Sequence, residues 1–168
     1  MKEGVLTGRR GFTLIELLVV VMILTLLISI SLFAFQSARR EQRNAKRKTD
    51  IQLIKAGLEL YKIDCGTYPL LSAGDAKTIL DSDSNSANGY SLTGNNSSSR
   101  CASGNIYITN IPSDPNSAKR YVYRGFNSDY YELCTNLEGV SGSTCPSSYS
   151  CNASGGGGNC NYGVTSQQ

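Results

Sequence analysis

Hydrophobic and polar positions fall into three patterns along this 168-residue chain. From Phe12 to Phe35 the sequence is almost unbroken in its apolarity, with Glu16 the one ionisable side chain and Thr25, Ser29 and Ser31 the small polar interruptions. As a helix this run reaches roughly 36 Å, enough to cross a hydrocarbon core of about 30 Å. The hydroxyls can bond back to carbonyls one turn earlier, so they do not spoil the span. Beyond Gln36 comes good helix-forming material, Ala38 to Arg47, rich in Arg, Gln, Glu and Lys. Ile51, Ile54, Leu58 and Tyr61 then recur at spacings of three, four and three, with Leu53 and Leu60 alongside. That pattern predicts an amphipathic helix burying one stripe. No proline occurs before Pro69, so one helix from Phe12 to about Ile63 is expected, roughly 78 Å long. Gly66 stands where a helix C-terminal cap belongs, and Pro69 blocks resumption.

After Gly66 the pattern changes to short segments. Gly74 to Leu80 reads as a short helix capped by Asp75. Residues 82–105 are polar and turn-rich, with Tyr90 and Leu92 marking a short strand. Ile106-Tyr107-Ile108 follows, and then a turn at Ile111-Pro112-Ser113-Asp114-Pro115. The clearest period of two lies in Arg120 to Gly125 and Tyr130 to Asn136, joined by Phe126-Asn127-Ser128-Asp129, which predicts a β-hairpin. The last thirty residues, 139–168, contain no charged side chain and include the run Gly155 to Gly158.

Composition narrows the function. The chain has no His and no Trp, which removes His-based triads, His general bases and His metal ligands. Six cysteines, Cys65, Cys101, Cys134, Cys145, Cys151 and Cys160, form no C-x-x-C pair, so a zinc site has no support. No metal site and no cofactor are expected, and nothing recommends an enzyme. Cysteines at this density in a small Gly- and Ser-rich region fit disulfides in an oxidising exterior. Fifteen full pairings are open. The expectation is Cys65 with Cys101, and Cys134 with a cysteine of the tail, stapling it to the hairpin. With few large aliphatic residues after Leu92, each bond would add roughly 2–4 kcal/mol that a small core cannot.

The apolar run could be a signal peptide, an anchor or an assembly element. A secretory signal has an apolar region of only about 7–15 residues before its cleavage site, and Gln36-Ser37-Ala38-Arg39-Arg40 is a poor site. A plain anchor leaves Glu16 unexplained, since a carboxylate deep in a membrane helix costs on the order of 2.5–3.5 kcal/mol. Arg9-Arg10-Gly11-Phe12-Thr13-Leu14-Ile15-Glu16, followed by Leu17-Leu18-Val19-Val20-Val21, closely resembles the class III signal of type IV pilins and type II secretion pseudopilins. The resemblance implies that a prepilin peptidase cuts between Gly11 and Phe12, before the apolar helix, and N-methylates Phe12. It also implies that Glu16 neutralises the new ammonium of a neighbouring subunit, so that subunits dock in register.

The likeness extends more loosely to residue 138. Tyr61, Asp64 and Gly66-Thr67-Tyr68-Pro69 resemble the family's stem end. Ile111-Pro112-x-Asp114-Pro115, Tyr121-x-Tyr123 and Tyr130-Tyr131-x-Leu133-x-x-x-Leu137-Glu138 resemble small bacterial pilins and the major pseudopilin. In the major pseudopilin a calcium ion is held by loop oxygens near this hairpin. Asp114, Asn116 and Asp129 would be the hard ligands here, although such residues also simply form turns.

The expected fold class is α+β: a long N-terminal α-helix, membrane-spanning then amphipathic, packed on a small antiparallel β-sheet, with a disulfide-stapled, Cys-rich C-terminal region. Its parts are a leader (1–11), a transmembrane and assembly helix (12–36), an amphipathic stem (37–64) and a globular head (65–168) whose tail is 139–168. The expected function is a type IV pilus-like surface filament subunit, a homo-oligomer built through its N-terminal helices. The membrane, prepilin peptidase and the pilus assembly machinery would be its partners. The alternatives are a type II secretion pseudopilin and a membrane-anchored extracellular binding domain that never assembles.

Charge enters last. Lys2, Arg9 and Arg10 precede the apolar run, whereas Arg39, Arg40, Arg43, Lys46, Arg47 and Lys48 follow it, against the positive-inside rule for an exterior head. That rule weakens when a long domain follows, and the cysteines favour the exterior. The basic run reads as serving anionic headgroups or acidic residues of neighbouring subunits. DNA binding is the weaker reading. Asn95-Asn96-Ser97-Ser98 and Asn152-Ala153-Ser154 contain glycosylation acceptors at the rate chance supplies. Removal of residues 1–11 would lower the formal net charge from +3 to +1, in line with close lateral packing.

Overall fold

A computed structural model describes residues 11–70, 74–76, 90–145, 149–154 and 160–166. One helix, α1, spans Leu14–Cys65. Among the described residues six short strands follow, β1 (Gly74–Asp75), β2 (Leu92–Thr93), β3 (Ile106–Ile108), β4 (Val122–Gly125), β5 (Tyr131–Thr135) and β6 (Tyr162–Thr165). The architecture is α+β. By internal contacts the chain divides into two units, residues 1–41 and 42–168.

In the described part of the first unit, α1 is straightforward helix with its hydroxyls turned inward. Thr25 donates to the carbonyl of Met22 at 2.8 Å, Ser29 to Thr25 at 2.8 Å and Ser31 to Leu27 at 2.9 Å. The Arg39 guanidinium lies over the Phe35 ring, 4.2 Å from its centre.

In the second unit, the stripe Ile51, Ile54, Leu58 and Tyr61 is buried against the sheet. Leu53, Leu60 and Ile63 face away from it and are exposed. Gly57 lets α1 lie close on β3: a Cβ there would collide with Ile108 Cγ1. The helix ends as expected, with the Gly66 amide donating to the Lys62 carbonyl at 2.8 Å and Gly66 at φ +81°.

The main sheet is antiparallel with order β1-β4-β5-β6, and β2 pairs with β3 separately. The expected hairpin is β4–β5, in register Val122 with Cys134 and Tyr123 with Leu133. Tyr123, Tyr131 and Leu133, with Tyr121 just before β4, face α1 and form a core with Tyr61 and Tyr68. These phenols combine large apolar rings with a polar end that needs a partner. Tyr121 donates to Asp50 at 2.7 Å, Tyr68 to Glu59 at 2.7 Å, and Tyr123 to the Pro69 carbonyl at 2.8 Å. Burial pushes the Tyr121, Tyr123 and Tyr131 phenols well above their usual range.

The far face of the hairpin is buried too. Val122 and Cys134 join Cys145, Cys151 and Cys160 in a second cluster, with Tyr149 against it. The disulfides are Cys65–Cys101, Cys134–Cys145 and Cys151–Cys160. The first is the pairing expected; the second takes Cys134 into the tail, also as expected. The tail then returns as β6, which pairs with β5 from Glu132↔Thr165 to Thr135↔Tyr162. No strand was foreseen there, because Tyr162-Gly163-Val164-Thr165 is too short to show a period in an uncharged, glycine-rich stretch.

The expected short helix differs at its start: Gly74 and Asp75 form strand β1, paired with Tyr123 and Val122 on the open edge of β4, and Ala76, directly after Asp75, is helical. The rest of that reading, residues 77–80, lies outside the described residues.

The basic run also behaves differently from its reading. The buried stripe continues backwards as Arg47 and Asn44, at spacings of four and three from Ile51, so these residues face the head. Arg47 is fully buried and grips Asp114 with two bonds, Nε to Oδ2 at 2.7 Å and Nη2 to Oδ1 at 2.9 Å. Its Nη1 reaches Glu138 Oε1 at 2.9 Å and Asn44 Oδ1 at 3.3 Å. Arg43 forks onto the same Glu138, at 2.8 Å and 2.5 Å. Bonds from Arg43, and then Arg47, hold the Glu138 carboxyl down at about 2 against its partial burial. Lys46 pairs with Asp50 at 2.9 Å. Three cations of the run thus have partners within the chain itself, Arg43 and Arg47 in the head and Lys46 on α1.

Replacement of Gly57 by Ala should lower the thermal unfolding midpoint by a few degrees. The helix gains about 1 kcal/mol of propensity, but Ile108 must move, and overpacking costs about 1–3 kcal/mol. A raised midpoint would show that α1 and β3 do not meet this closely.

Candidate processing and assembly segment

Gly11, Phe12 and Thr13 precede the first turn of α1, which starts at Leu14. The helix starts there for a local reason. Thr13 stands at the N-cap, and the Glu16 amide donates to its Oγ1 at 3.3 Å, while the Leu17 amide reaches the Thr13 carbonyl at 3.3 Å. Thr13-Leu14-Ile15-Glu16 has the spacing of a capping box, with a hydroxyl at the cap and a carboxylate three residues on. Glu16 lies in the first turn of α1, where the helix dipole favours a negative charge. Its side chain is exposed. The peptide bond between Gly11 and Phe12 therefore lies just outside the helix, in exposed chain. Gly11 has open space around it, with nothing within 4 Å of a Cβ built there.

The large side chains described along Phe12–Phe35 are between 47% and 82% exposed. The most apolar 18-residue window of α1 has a mean hydropathy of 3.0 and is not buried at all. At roughly 1.5–3 kcal/mol for each large side chain, leaving this surface in water forgoes tens of kcal/mol. The helix is long and apolar enough to cross a membrane.

Gly11, Phe12 and Glu16 lie within six consecutive residues, joined by the Thr13 cap. The six cysteines lie in the second unit as three pairs. Thr13 was missed as a cap, although the Thr-x-x-Glu spacing before an apolar run could have revealed it. Arg47 was missed because, in sequence, a buried guanidinium looks like any other member of a basic run. No group of metal-ligating side chains occurs among the described residues.

A family motif matches this same segment, and longer stretches of the chain resemble known proteins. The prokaryotic N-terminal methylation motif covers residues 6–32. The type II secretion system core protein G of Pseudomonas aeruginosa is 39% identical over 66 residues, 39% of this chain and 46% of that protein. That of Dickeya chrysanthemi is 33% identical over 66 residues, 39% of this chain and 43% of that protein. That of Vibrio cholerae is 29% identical over 107 residues, 64% of this chain and 65% of that protein. The chain spans under half the length of the first two relatives. No solved structure matches it significantly. The chain carries the prokaryotic N-terminal methylation motif and is similar, over part of its length, to the type II secretion system core protein G.

Proposed function

We propose that the protein is a prepilin, cleaved between Gly11 and Phe12 by a prepilin peptidase and methylated on Phe12. It then polymerises through its N-terminal helix into a type IV pilus-like surface filament. One observation carries this reading: the signal is contiguous with an apolar helical surface that no described residue covers. Before assembly the membrane covers that surface, with the head outside, where disulfides persist. In the filament, copies of the same helix cover it. Glu16 supplies the carboxylate that meets the Phe12 ammonium of a neighbour, which makes a charge costly in lipid favour one register. The protein's role is structural and not catalytic. Arg43, Lys46 and Arg47 already pair within the chain, which argues against DNA binding through the basic run.

A second reading, a type II secretion pseudopilus subunit, draws support from the relatives, each a type II secretion system core protein G. The surface filament is preferred for the disulfide-bonded, uncharged tail that adds β6 to the sheet and suits an environment-facing head.

Two substitutions test the reading. Gly11→Val should leave the head's unfolding midpoint unchanged, because a side chain fits there, yet keep residues 1–11 attached in the intact mass. Normal processing of this variant would contradict cleavage at this bond. Glu16→Ala should yield processed protein that stays in the membrane, while the parent protein appears in sheared surface material. Equal assembly of both would overturn the role of Glu16. Parent protein polymerised but confined to the envelope would favour the pseudopilus.

A further inference from the structure

The calcium ion implied by the likeness to the major pseudopilin does not fit the oxygens this chain offers. Asp114 and Asp129 were its two carboxylate candidates. The structure commits them to different cations, Asp114 to Arg47 and Asp129 to Lys62 at 2.8 Å. Arg47 and Lys62 are fifteen residues apart on one helix, about 22 Å along its axis. One ion needs its oxygens within about 5 Å of each other, at 2.3–2.6 Å from the metal. Asp114 and Asp129 are thus held by cations at different points along α1, and the Asp114 carboxylate is occupied on both oxygens by Arg47. Asn116 is engaged as well: its Oδ1 accepts the Ala118 amide at 3.0 Å, and its own amide donates to Asp114 Oδ1 at 2.8 Å.

We propose that Arg47 is the internal cation of this head: its guanidinium, fixed between Asp114 and Glu138, locks the loop before β4 and the turn after β5 onto α1, so that the fold neither needs nor takes up calcium there. A planar fork suits this position, since it meets the Asp114 carboxylate through two parallel bonds and still reaches Glu138. Asn44 closes the arrangement from the same helix face. Its amide nitrogen donates to the Glu138 carbonyl at 3.0 Å, and its oxygen accepts the Glu138 amide at 2.9 Å. The cluster is electrically balanced: Arg43, Lys46 and Arg47 stand against Asp50, Asp114 and Glu138. No surplus of negative charge is left to recruit a divalent ion. The inference holds for a pilus or a pseudopilus subunit alike.

The test uses the full chain in detergent, with thermal unfolding followed by the near-ultraviolet circular dichroism of the tyrosine core. The midpoint should be the same in EGTA and in millimolar calcium chloride, and equilibrium dialysis with radioactive calcium should show no saturable uptake. A stabilising ion at a hundredfold excess over its dissociation constant would raise the midpoint by roughly 5–10 °C. That rise, or saturable uptake, would overturn the proposal. Arg47→Met and Asp114→Asn should each lower the midpoint, because each strands a buried charge, and the double variant should recover part of the loss. An unchanged midpoint in Arg47→Met, or a double variant no better than the sum of the singles, would also overturn it.

Discussion

The apolar surface of residues 12–35 sets the terms for the rest of the molecule. Nothing among the described residues covers it, and its exposure to water would cost more than an ordinary domain's whole stability of about 5–15 kcal/mol. The segment therefore needs a cover that the described residues do not supply, and lipid or further copies would each provide one. On the proposed function it meets both in turn. That order accounts for a cut before the helix: cleavage after it would discard the element that assembles. It also accounts for Glu16, a carboxylate kept at the first turn of an otherwise apolar helix, where the dipole and a neighbouring ammonium both favour it.

The second half of the same helix solves the opposite problem, how to bury one face in a head with few aliphatic residues. Ile51, Ile54, Leu58 and Tyr61 supply the apolar stripe, and tyrosines from β4, β5 and the segments beside them fill the space above it. Tyrosine contributes ring area but carries a hydroxyl, and Asp50, Glu59 and the Pro69 carbonyl on or just after α1 accept those bonds. Towards its N-terminal end the stripe turns ionic through Arg47 and Asn44. Breaking such a buried pair by removing one partner is far more damaging than the modest net gain of forming it. This end of the interface therefore contributes specificity of docking more than stability. On the far side of the sheet, cysteines replace a hydrophobic layer: Cys134–Cys145 ties the tail to β5, and Cys151–Cys160 closes a loop within the tail.

Much of this was legible in the sequence, for identifiable reasons. A 52-residue helix without proline, a spacing of three and four at Ile51 to Tyr61, and a glycine cap are strong local signals, and the structure follows them. The β4–β5 hairpin was visible because its tyrosines alternate. Strand β6 was not, since four residues between glycines and serines carry no period, and the strand exists through its pairing with β5. β1 was not foreseen for the same reason: Gly74 and Asp75 take their conformation from an open sheet edge, not from their own propensity, before the chain turns helical at Ala76. Arg47 and Gly57 show a third kind of blindness. Charge and small size mark them as surface or neutral positions, and only the partner across the interface, Asp114 in one case and Ile108 in the other, gives them their roles. The segment from Arg9 to Glu16 was the most legible part, because its meaning lies in contiguous residues.

The central claim is that the mature chain begins at Phe12 and leaves the membrane as part of a filament. The most direct measurement is the N-terminal residue and intact mass of the protein recovered from sheared cell-surface material. The account predicts N-methylated phenylalanine at position 12 in that fraction. An N-terminus at Met1, with the protein confined to membranes, would contradict it.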